Sequence, residues 1–435
     1  MNAYAAALGL EVDDATPLVA RGASVISRGD VRRRADALSE RLEAEQLHRV
    51  LVQSDNSEQI IAAIQACTTT GADLWIAHTN VPAAFIDEIV AQAGIQLKLE
   101  PQGEQTAAAA GGAPGGRAIH MMTSGTTGRP KVAVHSLDSL LARIRANAQL
   151  PVNRDARWLL TYQPTGFAGI QVTLTAALSN GLLVVPEART PAGFFEAAKQ
   201  HQVTRVSATA TFWRSLLMVA KPDDLALEQI TLGGEAVDQS ILDRLGKSFP
   251  EARLTHIYAS TEAGVVFAVH DGQAGFPAEW LENPVQSVGL RIREGRLQIK
   301  TKNAMSKYTT ESSQPITDDG WLATADECEI RGDRVIILGR KDSTINVAGS
   351  KVYPLAVESF LLGLEDVVEA RVFGVENPVA GAIVGAEVVL TAGLDAKEAK
   401  KRILKACRAG MPSYQVPRVL DIVDAIKVHA SGKKA

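Results

Sequence analysis

The sequence lacks the features that mark secreted, membrane-spanning and metal-binding proteins. Only three cysteines occur in 435 residues, Cys67, Cys328 and Cys407, with no C-x-x-C pair and no clustered histidines. This excludes a disulfide framework and a zinc site of common spacing. No run of about 18 apolar residues occurs, and Met1 to Asp13 has no positive charge ahead of its apolar stretch. We therefore expect a cytoplasmic protein with no membrane partner and with three buried, reduced thiols.

An excess of charge of one sign is also missing. The chain has 45 basic and 49 acidic residues, which gives a formal net charge of −4. Nucleic acids and anionic membranes are therefore not expected as partners. Hydrophobic residues make up 46% of the chain and charged residues 22%, which is typical of a globular protein that acts on small molecules. The sequence carries no signal for an oligomeric state.

The length and the periodicity predict two unequal domains. At 435 residues the chain exceeds the roughly 250 to 300 residues that one core supports. Up to about Gly339, helical patterns alternate with short apolar strands, which is typical of a layered α/β domain. Beyond it the pattern becomes that of a shorter α+β unit. We therefore predict a large domain over 1–339 and a small one over 340–435, and an Ala- and Gly-rich surface loop from Gly103 to Gly116.

The clearest motif is a run of hydroxyl residues and glycines that ends in a lysine. Its binding candidates are Thr123, Ser124, Gly125, Thr126, Thr127, Gly128 and Lys131. Glycines allow backbone N–H groups to approach phosphate oxygens, hydroxyls donate further hydrogen bonds, and a cation offsets the phosphate charge. The run is not the P-loop of NTPases, because Arg129 and Pro130 separate the last glycine from the lysine.

This segment resembles the phosphate loop of the acyl-adenylate-forming (AMP-binding) superfamily, which includes acyl-CoA synthetases, peptide-synthetase adenylation domains and luciferases. Further family motifs follow in the family's order from Met121 to Lys433. The short length and several local blocks are most similar to the compact o-succinylbenzoate and aryl-CoA ligases. The resemblance implies a large domain that binds ATP and the acid, and a smaller mobile lid domain.

The resemblance assigns nucleotide contacts to two segments of the large domain. Gly234, Glu235 and Ala236 would lie against adenine and the acyl pocket. In the block from Tyr258 through Ala259 to Glu262, the tyrosine ring would stack on adenine, Thr261 would contact phosphate and Glu262 would hold Mg²⁺. A flat amphipathic ring can cover a base, and a carboxylate is a normal magnesium ligand beside phosphates. Ala259 departs from the family, which has glycine there.

The remaining family motifs concern the ribose and the small domain. The resemblance implies that Asp326 accepts hydrogen bonds from the ribose hydroxyls and that Arg340 also reaches the ribose. Asp342 would be the hinge, and Gly349 would line the tunnel for the thiol arm. Lys433, in a terminal Ser-Gly-Lys, would bridge the substrate carboxylate and the α-phosphate.

Electrostatics explains why such an enzyme needs cations. Bringing a carboxylate within about 3.5 Å of a phosphate charge costs about 5 kcal/mol at an effective dielectric near 20. We expect Lys433 and Mg²⁺ on Glu262 to offset this repulsion, with Thr261 and the phosphate loop orienting the leaving group. Lys433, Glu262 and Thr261 are thus the predicted catalytic residues.

Ala168 bears on the choice of acid. Amino-acid-activating relatives have an aspartate for the α-ammonium at this position, and an unpaired buried ammonium would be very costly. We therefore expect an aryl or aliphatic acid rather than an amino acid. Phe167, Ala168, Trp213 and Gly264 are the candidates for its pocket, and each is also compatible with an ordinary core position.

The predicted function is ATP- and Mg²⁺-dependent adenylation of a carboxylic acid followed by acyl transfer to coenzyme A. One alternative is loading of an acyl carrier protein, and another is an inactive homologue that only binds nucleotide. A luciferase-like oxygenase ranks last, because no residue indicates the special pocket that this chemistry needs.

Overall fold

The computed structural model describes residue 8 and residues 13–101, 103–106, 115–123, 131–148, 153–309, 316–378 and 380–427. The α-helices in these ranges are α1 (Arg28–Ala44), α2 (Ser57–Thr70), α3 (Ala83–Ala93), α4 (Leu137–Ala148), α5 (Phe167–Leu178), α6 (Pro191–Gln200), α7 (Ala210–Val219), α8 (Gln239–Ser248), α9 (Pro354–Leu362) and α10 (Ala396–Gly410). The strands are β1 (Pro17–Arg21), β2 (Ser24–Ser27), β3 (Arg49–Gln53), β4 (Asp73–Ala77), β5 (Leu97–Glu100), β6 (Gly103–Thr106), β7 (Ala118–Thr123), β8 (Lys131–Ser136), β9 (Arg157–Leu160), β10 (Leu182–Val184), β11 (Arg205–Ala208), β12 (Gln229–Leu232), β13 (Arg253–Ser260), β14 (Gly264–Val269), β15 (Phe276–Pro277), β16 (Gly289–Arg293), β17 (Arg296–Lys300), β18 (Lys307–Tyr308), β19 (Leu322–Arg331), β20 (Arg334–Arg340), β21 (Ile345–Val347), β22 (Ser350–Val352), β23 (Val367–Asn377), β24 (Gly381–Leu390) and β25 (Val419–Ile422).

Two large, mostly parallel sheets form the centre of the large domain. The first sheet has the strand order β14-β13-β12-β11-β9-β10-β1-β2, and the second has the order β18-β8-β7-β4-β3-β5-β6. In the first sheet only the edge strands β14 and β2 pair antiparallel. In the second sheet β7, β4, β3 and β5 pair in parallel, whereas β18, β8 and β6 pair antiparallel. Parallel strands need a crossover between them, which explains the alternation of strands and helices along the chain.

Alternation of buried residues along the strands places helices on both faces of each sheet. In β9, Leu160 packs into the core cluster shared by α1, α2, α4 and α5, whereas Leu159 packs with α6, α7 and α8. In β3, Val50 and Val52 face the shared cluster, and Leu51 faces α3. Successive strand side chains point to opposite faces, so the large domain is layered, with one helical layer between the two sheets.

Two smaller sheets follow. The third sheet is antiparallel, with the order β15-β20-β19-β17-β16. The fourth sheet has the order β22-β21-β24-β23, and β25 pairs in parallel with β24. Helices α9 and α10 share a core with this sheet, which includes Val357, Ile403 and the buried Cys407. This arrangement confirms the predicted class, an α/β fold with a large N-terminal domain and a smaller C-terminal domain.

Most elements predicted from periodicity are present, but the predicted surface loop is wrong in part. Gly103–Thr106 forms β6, which pairs with β5 and continues the second sheet by one strand. Its backbone finds partners at an otherwise open sheet edge, so the absence of an apolar pattern did not prevent a strand. The predicted domain boundary stays a prediction; Arg340 is the last residue of β20. In the described ranges no helix combines the length and the apolar character needed to cross a bilayer.

Candidate active site

The predicted phosphate loop is the connection of a hairpin. β7 ends at Thr123 and β8 begins at Lys131, and these two residues pair across the antiparallel ladder. The ladder therefore holds both ends of the connection at one edge of the second sheet. The binding candidates Ser124, Gly125, Thr126, Thr127 and Gly128 lie outside the described residues.

The block from Tyr258 to Glu262 joins two antiparallel strands of the first sheet. Tyr258 to Ser260 end β13, and β14 begins at Gly264. Ser260 caps the turn, since its hydroxyl accepts a hydrogen bond from the Ala263 backbone at 3.1 Å. Ala259, which replaces the family's glycine, lies within β13 rather than in the turn, next to an irregularity in the β13–β14 ladder.

Contacts from distant parts of the chain fix the position of Thr261 and Glu262. A ring nitrogen of His135, on β8, lies 2.7 Å from the Thr261 carbonyl oxygen. The Glu262 carbonyl accepts a hydrogen bond from the Met305 backbone at 2.7 Å. The Tyr308 hydroxyl donates to the Glu262 carboxylate. Both the backbone and the side chain of this segment are therefore held from the second sheet and its edge strand.

The surroundings of His135 favour the neutral form of its imidazole. Burial lowers the pKa of its imidazole below the usual value, although the Thr261 carbonyl and the Glu262 charge act in the opposite direction. The ring contacts Phe167, with ring centres 5.9 Å apart. A neutral imidazole donates one hydrogen bond and accepts one, so His135 serves as a hydrogen-bonding support for this turn.

Tyr258 and Asp326 form a second pair. The Tyr258 hydroxyl donates to the Asp326 carboxylate, and its ring stacks on Phe267 with centres 5.4 Å apart. Burial raises the pKa of the Tyr258 hydroxyl, and the charge of Asp326 raises it further. The phenol is therefore a fixed donor, and the carboxylate to which it donates is the one predicted to accept from ribose.

The guanidinium of Arg340 interacts with several carboxylates. Arg340 pairs with Asp326 in the β19–β20 ladder, and its guanidinium lies 3.2 Å from Asp342. Burial works against its charge, but the hydrogen bond to Asp342 and the charges of Asp342, Asp326 and Glu262 raise its pKa above the ordinary value. The charges of the predicted ribose ligand Asp326, the predicted metal ligand Glu262 and the predicted hinge residue Asp342 thus all favour the charged form of Arg340.

The segment from Gly233 to Ala236 follows β12, and Gly233 has no room for a side chain. The Tyr162 hydroxyl donates to the Gly233 carbonyl at 3.1 Å, and a Cβ at Gly233 would lie 2.7 Å from Ile257. Gly234 has a φ of +84°, which favours glycine. The Glu235 carboxylate accepts from the Thr211 backbone at 2.9 Å, at the start of α7. The backbone of Gly234 and Ala236 remains the predicted adenine contact, and the Glu235 side chain stabilises the helix end.

The four candidates for the acyl pocket are not all together. Phe167 and Ala168 begin α5 and pack, partly buried, against the core between the two large sheets. Gly264 has a φ of +70° and leaves little space beside the Asn303 carbonyl. Trp213 is 0% exposed and belongs to the core on the opposite face of the first sheet, against Phe249. The structure therefore places Trp213 in the core, apart from the other candidates.

Of the two residues that are predicted to act from the small domain, Gly349 and Lys433, only Gly349 lies in the described ranges. Gly349 lies with Ala348 in the two-residue turn between β21 and β22, and both have positive φ. The Gly349 backbone N–H donates to the Asn346 side chain at 2.9 Å, and the space beside its Cα is open. Its role at a thiol tunnel stays a prediction, and Lys433 lies outside the described residues.

Tyr308 and the His135 contact were not predicted from the sequence. Tyr308 lies 46 residues beyond Glu262, in a two-residue strand that pairs with β8. No spacing rule connects positions so far apart, because the contact depends on how the sheets meet. The only available signal was the block from Lys131 to His135 that resembles the family.

The described residues include one carboxylate that suits Mg²⁺ bound together with ATP. Among the described residues no group of three His, Cys, Asp or Glu side chains could hold a metal ion. Mg²⁺ that arrives with ATP needs only one or two protein carboxylates, because phosphates and water supply the other ligands. Glu262, fixed by Tyr308, fits such a single-carboxylate role.

Comparison with known proteins gives matches along most of the chain. The AMP-binding enzyme family matches residues 107–309, and the AMP-binding enzyme C-terminal domain matches residues 356–433. Together these two matches cover more than half of the chain.

Individual relatives agree with this result. The chain is 27% identical to 2-succinylbenzoate–CoA ligase of Bacillus velezensis, over 72% of this chain and 66% of that enzyme. It is 24% identical to feruloyl-CoA synthase of an Amycolatopsis species, over 95% of this chain and 93% of that enzyme. The structure of o-succinylbenzoate CoA synthetase from Bacillus subtilis, in complex with its acyl-adenylate, matches with a TM-score of 0.75 at 19% identity, over 100% of this chain and 97% of that one. The match to this solved structure shows the fold. All three of these relatives are named as CoA ligases, CoA synthases or CoA synthetases. The chain therefore belongs to the AMP-binding enzyme family.

Proposed function

We propose that the protein activates an aromatic or aliphatic carboxylic acid other than an amino acid with ATP and transfers the acyl group to coenzyme A. The observation that carries the proposal is that the charges of Glu262 and Asp326 act on Arg340, while Tyr308 contacts both Glu262 and Lys131 at the start of β8. Glu262, Asp326 and Arg340 come from the first and third sheets, and Lys131 comes from the second. Four separate parts of the sequence therefore supply charges to one region.

In the first step a carboxylate oxygen of the acid attacks the α-phosphorus of ATP, and pyrophosphate leaves. Lys433 offsets the repulsion between the two anions, and Lys131 and the hydroxyls of the connection orient the leaving group. Mg²⁺, when bound at Glu262, neutralises phosphate charge. Asp326 and Arg340 fix the ribose, so that the α-phosphorus stays in line with the incoming oxygen.

In the second step the thiol sulfur attacks the acyl carbon, and AMP leaves with the oxygen that came from the acid. The small domain turns about Asp342, which withdraws Lys433 and brings the Gly349 turn to the thiol arm. The two relatives named above carry coenzyme A in their names, which favours this acceptor over a carrier protein.

The acid class follows from the start of α5. Ala168 offers no charge to an ammonium group, and Phe167 presents an aromatic ring beside the neutral His135. An apolar acid is compatible with this lining, whereas a zwitterion would lose solvation of its ammonium without a partner. Both relatives are named for aromatic acids, which supports an aryl acid first.

Acid-dependent ATP–pyrophosphate exchange over aryl, short-chain, medium-chain and amino acids tests this proposal. We expect exchange with one or more aryl or aliphatic acids and none above background with amino acids. Mass spectrometry with coenzyme A added should then detect the thioester of the same acid. Exchange with amino acids alone would contradict the proposed acid class, and transfer to a carrier protein but not to coenzyme A would contradict the proposed acceptor.

A further inference from the structure

The segment around β18 connects the two halves of the candidate site. On one side, the Met305 backbone donates to the Glu262 carbonyl at 2.7 Å. On the other side, the Ser306 and Thr309 backbones donate to the carbonyls of Val134 and Val132 on β8, at 2.8 and 3.0 Å. Residues 305–309 therefore fix the Glu262 turn relative to the strand that begins with Lys131.

Tyr308 is the side chain in this segment that contacts both halves. It is 9% exposed and packs with Met305 and Ala133. Its hydroxyl donates to the Glu262 carboxylate, and the ammonium of Lys131 lies 5.4 Å from the centre of its ring. One residue thus links the predicted metal ligand to the cation that closes the predicted phosphate loop.

The chemistry of this contact suits an orienting role. A glutamate side chain has several rotamers, and freezing them costs conformational entropy when a ligand binds. A hydrogen bond from a buried phenol selects one arrangement before the ligand arrives. An ionised carboxylate has about four lone-pair sites, so accepting one hydrogen bond leaves capacity for a metal ion.

We propose that Tyr308 is a positioning residue for adenylation, whose hydroxyl orients the Glu262 carboxylate for the magnesium ion that accompanies ATP. This inference rests on the proposed function. The Tyr308 ring also fills space between β8 and β18, and this packing role must be separated from the hydroxyl's role.

Tyr308→Phe makes this separation, since it keeps the ring and its contact with Lys131 but removes the donor. Ser306→Ala is the matched control, because it removes a hydroxyl from the same segment that donates to the Val134 backbone at 3.1 Å rather than to Glu262. Both variants are examined in the full chain, with thermal unfolding to establish that they fold.

The direct readout is the equilibrium binding of Mn²⁺ together with α,β-methylene-ATP. Calorimetry and the electron paramagnetic resonance signal of free Mn²⁺ measure this binding. We expect Tyr308→Phe to weaken metal-supported binding about tenfold, which corresponds to about 1.4 kcal/mol and is typical of a hydrogen bond to a charged group. Binding of the nucleotide without metal should stay within about twofold of the unaltered protein, as should all binding by Ser306→Ala.

Exchange assays provide the second readout. In Tyr308→Phe the Mg²⁺ concentration for half-maximal ATP–pyrophosphate exchange should rise about tenfold, with little change in KM for the acid. Equal losses with and without metal, or no loss in Tyr308→Phe, would overturn the inference. If the unaltered protein exchanges with no acid, the proposed function fails, and the Mn²⁺ measurement still decides the role of Tyr308.

Discussion

At the scale of single residues, charge on Glu262 is the property on which the candidate site depends most. Its carboxylate accepts from Tyr308 and contributes to the raised pKa of Arg340. An amide of the same shape would keep a hydrogen-bond acceptor but lose the charge. The effect on catalysis should therefore exceed the effect on folding.

Glu262→Gln should lower kcat/KM for Mg-ATP by about 10²-fold or more, as removal of a preorganised charge does at other transition states. ATP–pyrophosphate exchange with the best acid measures this. Glu282→Gln, which makes the same change at an exposed position outside the site, should be within about twofold of the unaltered protein. Similar losses in the two variants would contradict a metal-binding role for Glu262.

Buried histidines should make the protein sensitive to acid. His120 stacks on Trp75 with ring centres 3.8 Å apart, and burial lowers the pKa of His120 to about 4. The unfolded chain has a histidine pKa near 6.5, so it binds a proton that the folded chain excludes. Stability is therefore full above about pH 6.5 and falls as the pH decreases from there to about 4.

His120→Phe keeps an aromatic ring on Trp75 and removes this proton. Between pH 7 and pH 5 the unaltered protein should lose about 2 kcal/mol more unfolding free energy than the variant. Urea denaturation at the two pH values measures the difference. Equal losses in both proteins would show that His120 does not titrate in this way.

At the scale of elements, close packing of α5 determines where Phe167 and Ala168 lie. A Cβ at Gly169, in the first turn of this helix, would lie 1.9 Å from the Gln163 carbonyl oxygen. Gly246, within α8, has no neighbour within 4 Å of its Cβ position. The same substitution at these two helical glycines should therefore have opposite effects.

Gly169→Ala should destabilise the protein by about 1–3 kcal/mol, because the clash is with backbone. It should also raise KM for the acid, since the start of α5 must move. Gly246→Ala should stabilise the protein by up to about 1 kcal/mol through helix propensity. Chemical denaturation of both variants tests this; destabilisation by Gly246→Ala, or a neutral Gly169→Ala, would contradict it.

Elements were predictable from the sequence to the extent that local patterns determine them. Periodicity predicted the alternation of helices and strands up to about Gly339, since elements such as α1 and β3 have a buried stripe or an apolar run of the right length. It could not predict β6, because Gly103–Thr106 has no such pattern and is a strand through pairing with β5. Likewise, the Tyr308 and Glu262 contact depends on two sheets meeting, which no local window contains.

At the scale of the whole molecule, the third and fourth sheets meet beside the predicted hinge. Glu327, on β19, is buried, and Lys351 on β22 lies 3.8 Å from it. A hydrogen bond to Glu327 raises the pKa of Tyr353 to about 12. A further contact with the small domain comes from Ser240 on α8, whose hydroxyl donates to the Leu362 carbonyl at 3.0 Å. These contacts hold the small domain in the described arrangement, and the proposed turn about Asp342 must break some of them.

If the small domain delivers Lys433 for the first step only, the two half-reactions should separate. Lys433→Ala should lose adenylation by about 10²-fold or more, yet form the thioester from supplied acyl-AMP at a rate close to that of the unaltered protein. Lys427→Ala is a control in the same terminal segment and should affect neither step. Equal loss of both half-reactions in Lys433→Ala would refute the alternating role.

Transfer of oxygen from the acid to AMP tests the central claim most directly. With the carboxylate of the preferred acid labelled with ¹⁸O, and with ATP, Mg²⁺ and coenzyme A present, one labelled oxygen should appear in AMP for each thioester formed. Mass spectrometry of AMP, pyrophosphate and the thioester measures this. Label in phosphate or pyrophosphate, or thioester formed with unlabelled AMP, would contradict an acyl-adenylate intermediate.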